Sequence, residues 1–337
     1  MGDTGRMLVC PGCRTRTVEG DDYRIDVRTL ERQGDTLVCE CGRRFPIVDG
    51  VPIVVPHLDG YLQAEAAAVL ERDLAPEVAA LLVAGGPDDA GYPRLLEHLS
   101  IYLDAHWGDR ALPPPDGPGV AFAAAPLVER IAARRSVPVA RAVELGASVG
   151  RVLAELAGGA DAVFGVDLQF GALRRARRLL AGEAVAYARR VAGRHYTAAT
   201  ITPGDRGVAS ARVTLVCGDA LDPPLVPGWF DRVVALNLLD SVRRPRQLLT
   251  VMDGLCARGG EIILSSPYAW QSGVVDEDAR LGGADPAAEV ARILREGDGL
   301  SGRYAIEDEA ELPWTLRRDA RSAASYRVHY IRARKGS

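Results

Sequence analysis

The sequence predicts an α/β fold on a largely parallel sheet, and three observations carry that prediction. Residues 139–167 read as a buried strand (Ala140–Leu145), a glycine turn (Gly146–Gly150), a helix (Arg151–Ala157) and a second strand (Ala162–Val166). The hydrophobic period switches from strand to helix and back along that stretch. Further apolar runs of strand length follow at 212–217, 231–236 and 261–265, and Trp314–Arg318 and Tyr326–Arg334 form a closing antiparallel pair, the second alternating as YRVHYIRAR. A chain of 337 residues has room for one such domain and a smaller appendage.

Composition bounds the function. At 47% hydrophobic and 26% charged residues the chain is globular and not disordered. A net charge of −4 gives no global pull on nucleic acid or an anionic membrane. No apolar run approaches the ~20 residues that span a bilayer, and MGDTGRMLVCPGC has no apolar core ahead of a cleavage site. The expectation is a cytoplasmic protein with reduced thiols, without a membrane partner and with its net charge weighing against nucleic acid as one. Oligomeric state is left open.

In chain order, residues 1–57 form their own unit. Cys10-Pro-Gly-Cys13 makes a tight knuckle, and Cys39-Glu-Cys41 follows after 25 intervening residues. Four thiolates on two turns suit tetrahedral zinc in a structural role, since four protein ligands leave no open position for chemistry. Residues 58–119 are a helical connector: Tyr61–Ala84 stopped by Gly85-Gly86-Pro87, then Tyr92–Trp107, then the stiff linker Leu112–Gly119. On the second helix, Leu95, Leu99 and Tyr102 share a face with Leu103 and His106 close by. Tyr102 and His106 are either core aromatics or a cap on the substrate pocket.

The catalytic unit is residues 120–337. Gly146 and Gly150 let the backbone turn sharply and approach a ligand. Asp167, about twenty residues beyond the turn, is placed to accept the hydroxyl protons of a ribose. The turn E-L-G-x-x-x-G lacks the third glycine of G-x-G-x-x-G, which argues against a pyrophosphate and for a nucleoside without phosphates. A helix from Phe170 to about Val191 carries Arg174, Arg175, Arg177, Arg178, Arg189 and Arg190, a solvated or RNA-facing surface. Residues 192–210 read as a loop. Asp219 ends the third strand, where it could bond an adenine amino group, and the fourth strand delivers Asn237 and Asp240 to the carboxyl edge of the sheet, where open α/β sheets bind ligands. Asp240 is either a proton acceptor or a helix N-cap. Tyr268 and Trp270 follow the fifth strand as an aromatic wall for a cationic centre or as loop packing.

VELGASVG, GVD, CGDA (Cys217–Ala220), FDRVVALNLLD (Phe230–Asp240) and GGEIILSSPY (Gly259–Tyr268) together resemble the ordered motifs of the class I S-adenosylmethionine-dependent methyltransferases. The resemblance implies a Rossmann-like seven-stranded sheet and S-adenosylmethionine as cofactor. It places Glu144, Gly146, Ala147, Gly150, Asp167, Leu168, Asp219, Ala220 and Asn237 at the cofactor. CGRRFPIVDGVPIVVP (Cys41–Pro56) is similar to the small zinc-ribbon activator subunit of tRNA and rRNA methyltransferases, with C-x-C where C-x-x-C is usual. That likeness implies zinc on Cys10, Cys13, Cys39 and Cys41.

IYLDAHWG, AVELGASVGR, ALNLLDSVRRPRQLL, SSPYAWQSG and RLGG (Arg280–Gly283) are similar to the methyltransferase domain of the ovothiol-biosynthesis enzymes, over about residues 92–334. Trp107 and Ala105 depart from that family's pattern, and the cysteine unit stands where the family carries a sulfoxide synthase. The likeness implies N-methylation of a small nitrogen nucleophile, such as a histidine-like imidazole, a guanidino group or an amine, in secondary metabolism. Asp240, His106, Tyr102, Tyr268 and Trp270 are then the candidate catalytic residues. The alternatives are an RNA or protein methyltransferase with a fused zinc activator, or a small-molecule O- or S-methyltransferase.

Overall fold

A computed structural model describes residues 7–19, 22–71, 74–84, 91–117, 122–204 and 211–336. Its centre is a sheet of seven strands, numbered here in chain order: β1 (Val139–Leu145), β2 (Ala160–Asp167), β3 (Val213–Cys217), β4 (Phe230–Leu236), β5 (Cys256–Ser266), β6 (Tyr304–Arg317) and β7 (Ala323–Lys335). Their spatial order is 3-2-1-4-5-7-6. The first five run parallel, while β7 lies antiparallel to both β5 and β6. The order reverses between β1 and β4, so a crevice opens above the carboxyl ends of β1, β2 and β4. The Rossmann-like expectation holds, with a mixed sheet.

Nine helices among the described residues surround it: α1 (Leu58–Ala64), α2 (Ala66–Leu70), α3 (Pro76–Ala84), α4 (Gly91–Trp107), α5 (Ala125–Ala133), α6 (Arg151–Leu156), α7 (Phe170–Leu180), α8 (Pro245–Leu255) and α9 (Pro286–Glu296). One face of the sheet packs against α5, α6 and α7 through Leu127, Ile131, Val152, Leu153, Phe170 and Leu173. The other packs against α8 and α9 through Leu248, Leu249, Met252, Val290, Ile293 and Leu294. Each fully buried Leu or Ile contributes roughly 1.5–3 kcal/mol, so both faces are needed to hold the edge that carries the site.

The cysteine unit does not pack by itself. Leu8, Leu37, Phe45 and Val54 belong to the same buried cluster as Val143, Phe164 and Val216 of the sheet. Ile53 bridges Cys217 in parallel, and Val54 N–H donates to Cys217 O at 2.8 Å. The unit thus covers the outer edge of β3, which would otherwise expose unpaired backbone groups.

Two expectations are corrected. The single helix over 61–84 is three short helices, α1 to α3; its Gly-Gly-Pro stop lies outside the described residues. The arginine-rich helix ends at Leu180, not near Val191. Gly182 at φ +83° terminates it, and Glu183 N–H closes the turn on Arg178 O at 2.9 Å. Strand Val185–Ala192 then pairs antiparallel with His195–Ile201, where a loop was expected.

The arginines are mostly internal ties. Arg174 is buried and reaches Asp49 Oδ2 (2.7 Å) and Val69 O (2.7 Å), while Arg175 binds Glu71 Oε1 at 2.8 Å. Arg189, on the hairpin, is buried against Asp104 Oδ1 of α4 at 2.9 Å, and Arg317 of β6 meets the other oxygen at 3.2 Å. Buried charges survive only when paired, so these cations lock α4 and the connector to the sheet. Arg174, Arg175 and Arg189 therefore form no basic groove.

Candidate active site

The glycine turn is built by steric need. Gly146 and Ala147 both donate to Val166 O, at 2.8 and 3.0 Å, which folds the turn back onto β2. Gly146 has φ +78°, and a Cβ there would lie 3.1 Å from the Leu238 side chain. Gly150 has φ +79°, and its Cβ would lie 2.9 Å from the Ala176 methyl. The first glycine keeps the crevice open; the second lets α6 pack on α7.

Asp167 is anchored. Ser148 N–H donates to Oδ2 at 2.7 Å and Gln169 N–H to Oδ1 at 2.8 Å, leaving each oxygen a further lone pair for a hydroxyl. Burial raises its carboxyl above the usual range, and those backbone donors pull it partly back. Glu144, at the end of β1, is buried, with Oε2 lacking any protein partner. Burial, and then the charge of Asp167, push it well above the ordinary carboxylate range. Among the described residues no arginine or lysine pairs with either acid. Two neighbouring acids, one buried and one half-buried, without a cation suit a ligand that brings hydroxyl donors and positive charge, as a sulfonium nucleoside with an ammonium group does.

The rest of this half lies alongside. Leu168 is 44% exposed at the tip of β2, its carbonyl accepting Tyr61 O–H at 2.8 Å. Asp219 Oδ1 accepts Leu221 N–H at 2.8 Å, which shapes the turn before Ala220 is buried. Asn237 sits at φ +52°, a conformation Asn tolerates, and its Oδ1 accepts Ser265 O–H at 2.9 Å.

Residues 143–264 match the family model described as a methyltransferase domain. The chain is an S-adenosylmethionine-dependent methyltransferase of class I. No curated protein matches the sequence. Among solved structures it is similar to the N-methyltransferase NodS from Bradyrhizobium japonicum WM9 in complex with S-adenosyl-L-homocysteine, at 16% identity and TM-score 0.45, covering 72% of this chain and 100% of that one. It is also similar to magnesium protoporphyrin IX methyltransferase from Synechocystis PCC 6803 with bound SAM, at 14% identity and TM-score 0.44, covering 77% and 97%. Likeness this distant says nothing about the methyl acceptor.

The other half of the methyltransferase's crevice comes from remote segments. His98, Tyr102 and His106 stack along α4, with ring centroids 4.4 and 6.1 Å apart, and His106 meets Trp314 edge-on at 6.0 Å. Leu95, Leu99 and Leu103 instead face the hairpin cluster, so Tyr102 does not share their face as expected. Burial, and then the charge of Arg151, lower His106 to about 4, and its Nδ1 has no protein partner. It is a neutral imidazole at ordinary pH. Burial, then the charges of Asp167 and Asp240, raise the Tyr102 phenol above its ordinary range.

Asp240 is buried in a short 3₁₀ turn. It is not a helix cap: α8 begins at Pro245 behind Arg244. Its Oδ2 accepts Ala269 N–H at 3.0 Å, its carbonyl accepts Gln271 N–H at 3.1 Å, and its Oδ1 has no protein partner. Burial raises its carboxyl. The loop it clamps holds Tyr268 at φ +51° and Trp270 at φ +35°, rings 5.8 Å apart. Outside Asp49, every non-glycine residue at positive φ among those described lies at this edge of the sheet, including Ser148 and Asn237. Strain of this kind gathers where a site is built.

Sequence reasoning missed His98, Trp314, Tyr326, His329 and Glu309. The four-residue spacing of His98 to Tyr102 and His106 was a usable signal; the facing of Trp314 and Tyr326 across β6 and β7 depends on register.

At the far end, the sulfurs of Cys10, Cys13, Cys39 and Cys41 all lie within 4.8 Å of one another. Cys10 to Cys41 and Cys13 to Cys39 are each 3.8 Å. A tetrahedron with Zn–S bonds of about 2.3 Å has sulfur–sulfur edges of about 3.8 Å, so the donor set fits zinc. The C-x-C pair reaches this geometry because Gly42, at φ +87°, turns the chain back onto Cys39 O at 2.9 Å.

Proposed function

We propose that this methyltransferase transfers the methyl group to the nitrogen of a small acceptor in secondary metabolism, a histidine-like imidazole foremost, or a guanidino group or amine. The observation that carries the proposal is Asp240, whose buried Oδ1 has no protein partner while its Oδ2 clamps the loop that carries Tyr268 and Trp270. A nitrogen acceptor must be oriented and its developing positive charge stabilised, and a buried carboxylate with a free oxygen can do both. The stacked rings of Tyr102 and His106 favour a planar or cationic acceptor.

Asp167 is assigned to the ribose hydroxyls, Asp219 and Ala220 to the adenine edge, and Leu168 to its face. Glu144, Gly146, Ala147, Gly150 and Asn237 frame the remainder. S-adenosylmethionine bound there supplies a methyl on a sulfonium, already a good leaving group. The protein's part is alignment and exclusion of water, worth about 7 kcal/mol of barrier or more when the reacting atoms are well oriented. Zinc on the four cysteines is assigned a structural role. Residues 1–57, 58–119 and 120–337 are assigned as scaffold, cap and catalytic units. The internal pairing of Arg174, Arg175 and Arg189 supports a small acceptor over RNA.

The experiment is calorimetric binding of S-adenosylhomocysteine, followed by methyl transfer to histidine, thiohistidine, arginine and simple amines. Binding with turnover of one acceptor is expected. Binding without turnover of any would sink the small-acceptor proposal and leave a macromolecular one.

A further inference from the structure

Behind Tyr268 runs a short chain of hydrogen bonds that the assignments above leave unused. Its hydroxyl lies 2.8 Å from His329 Nδ1, and His329 Nε2 lies 3.1 Å from Glu309 Oε1. His329 is 5% exposed on β7, and Glu309 of β6 is exposed, its side chain 39% accessible. An ionised carboxylate only accepts, so Glu309 fixes the proton on Nε2 and leaves Nδ1 as an acceptor. Tyr268 must then donate its own proton to His329. Both lone pairs of the phenol oxygen are thereby left free for a donor from the crevice. The left-handed backbone at Tyr268, the Ser266 Oγ that accepts Tyr268 N–H at 3.0 Å and the Asp240 clamp on Ala269 N–H hold the ring in this pose.

We propose that Tyr268, His329 and Glu309 form a proton exit for the methyl transfer, resting on the nitrogen-acceptor function proposed above. As the acceptor's lone pair forms the N–CH₃ bond and the S–CH₃ bond breaks, positive charge develops on the acceptor nitrogen. Its N–H proton passes to the Tyr268 oxygen while the Tyr268 proton passes to His329 Nδ1. The resulting imidazolium is stabilised by Glu309, whose side chain reaches water and hands the proton on. Tyr268 touches the acceptor in this scheme; His329 and Glu309 act through it as positioning residues.

The test is steady-state kinetics of Y268F, H329N, E309Q and the Y268F/H329N double variant, with whichever of L-histidine, thiohistidine, L-arginine or methylamine the wild type methylates. H329N keeps an acceptor near Nδ1 but cannot take up the proton. Y268F and H329N should each lower kcat by about 10- to 100-fold, within the usual reach of general base catalysis, with E309Q lowering it severalfold. S-adenosylhomocysteine affinity and the acceptor KM should stay within about threefold, and the double variant should be no worse than the poorer single one, as residues acting in one unit behave. A wild-type kcat in H329N, or multiplicative losses in the double variant, would overturn the relay while leaving the methyltransferase intact. Should H329N melt early, E309Q carries the same test from a partly exposed side chain. Failure of the wild type to methylate any of the four while binding S-adenosylhomocysteine would remove the function beneath the proposal, and the relay with it.

Discussion

The two halves of the crevice are built on different principles. The half proposed for the cofactor is local: Glu144, the glycine turn and Asp167 come from one strand–turn–helix–strand unit, and backbone N–H groups at 2.7 and 2.8 Å hold the Asp167 carboxylate. The half proposed for the acceptor is assembled from α4, the turn after β4, the loop after β5 and the β6–β7 pair, held by side chains such as Asp104 with Arg189 and Arg317. A locally built site keeps its shape as long as the sheet does. A remotely assembled one depends on ties across the molecule, and it is the half that can change its acceptor without disturbing the cofactor.

The largest way to sharpen this contrast lies outside both halves. The cysteine unit is part of the core around β3, so Cys10→Ser/Cys13→Ser should lose its zinc, about one ion per chain in wild type, and more than about 4 kcal/mol of stability. Metal analysis and urea unfolding would check both, and equal zinc in variant and wild type would remove the ribbon assignment.

Next in size, the two halves should separate by mutation. Asp240→Ala should lower kcat by about 100-fold or more, the usual cost of losing a preorganised group that stabilises developing charge, with S-adenosylhomocysteine binding nearly intact. Asp167→Ala should weaken that binding by about 10- to 100-fold, the worth of hydrogen bonds to a charged group. Calorimetry beside kinetics distinguishes them; a loss of cofactor affinity in Asp240→Ala would break the division.

The smallest effect is on pH dependence. His106 has an ordinary value of 6.5 and a folded one of about 4, so between the two the unfolded chain binds more protons. Stability from this group is therefore full above about 6.5, falls as pH drops toward 4, and levels off below it. His106→Gln should flatten that fall by a few degrees of Tm in melts between neutral and acid pH. An unchanged slope would mean that His106 is not buried neutral.

What was legible in the sequence follows the same division. The motifs from Val143 to Leu264 place the sheet and the acids proposed for the cofactor because each constraint is met within a few residues: an acid at a strand tip, a glycine where φ must be positive. The strand Val185–Ala192 was not legible, because its arginines read as a helix surface; only the structure shows Arg189 paired with Asp104, which Arg317 shares. Asp240 likewise presents the same residue whether it caps a helix or clamps the Tyr268 loop, and only the start of α8 at Pro245 decides it.

The sequence by itself determined a doubly wound methyltransferase sheet, an acid at each of two strand tips and a four-cysteine knuckle, since local backbone geometry and ligand chemistry dictate residue type at close spacing. The tertiary structure alone decided which arginines are internal, that the cysteine unit shares the core of the sheet, and that Tyr268 is backed by His329 and Glu309. Those depend on strand register and long-range packing, where a side chain's role is set by neighbours far away in the chain.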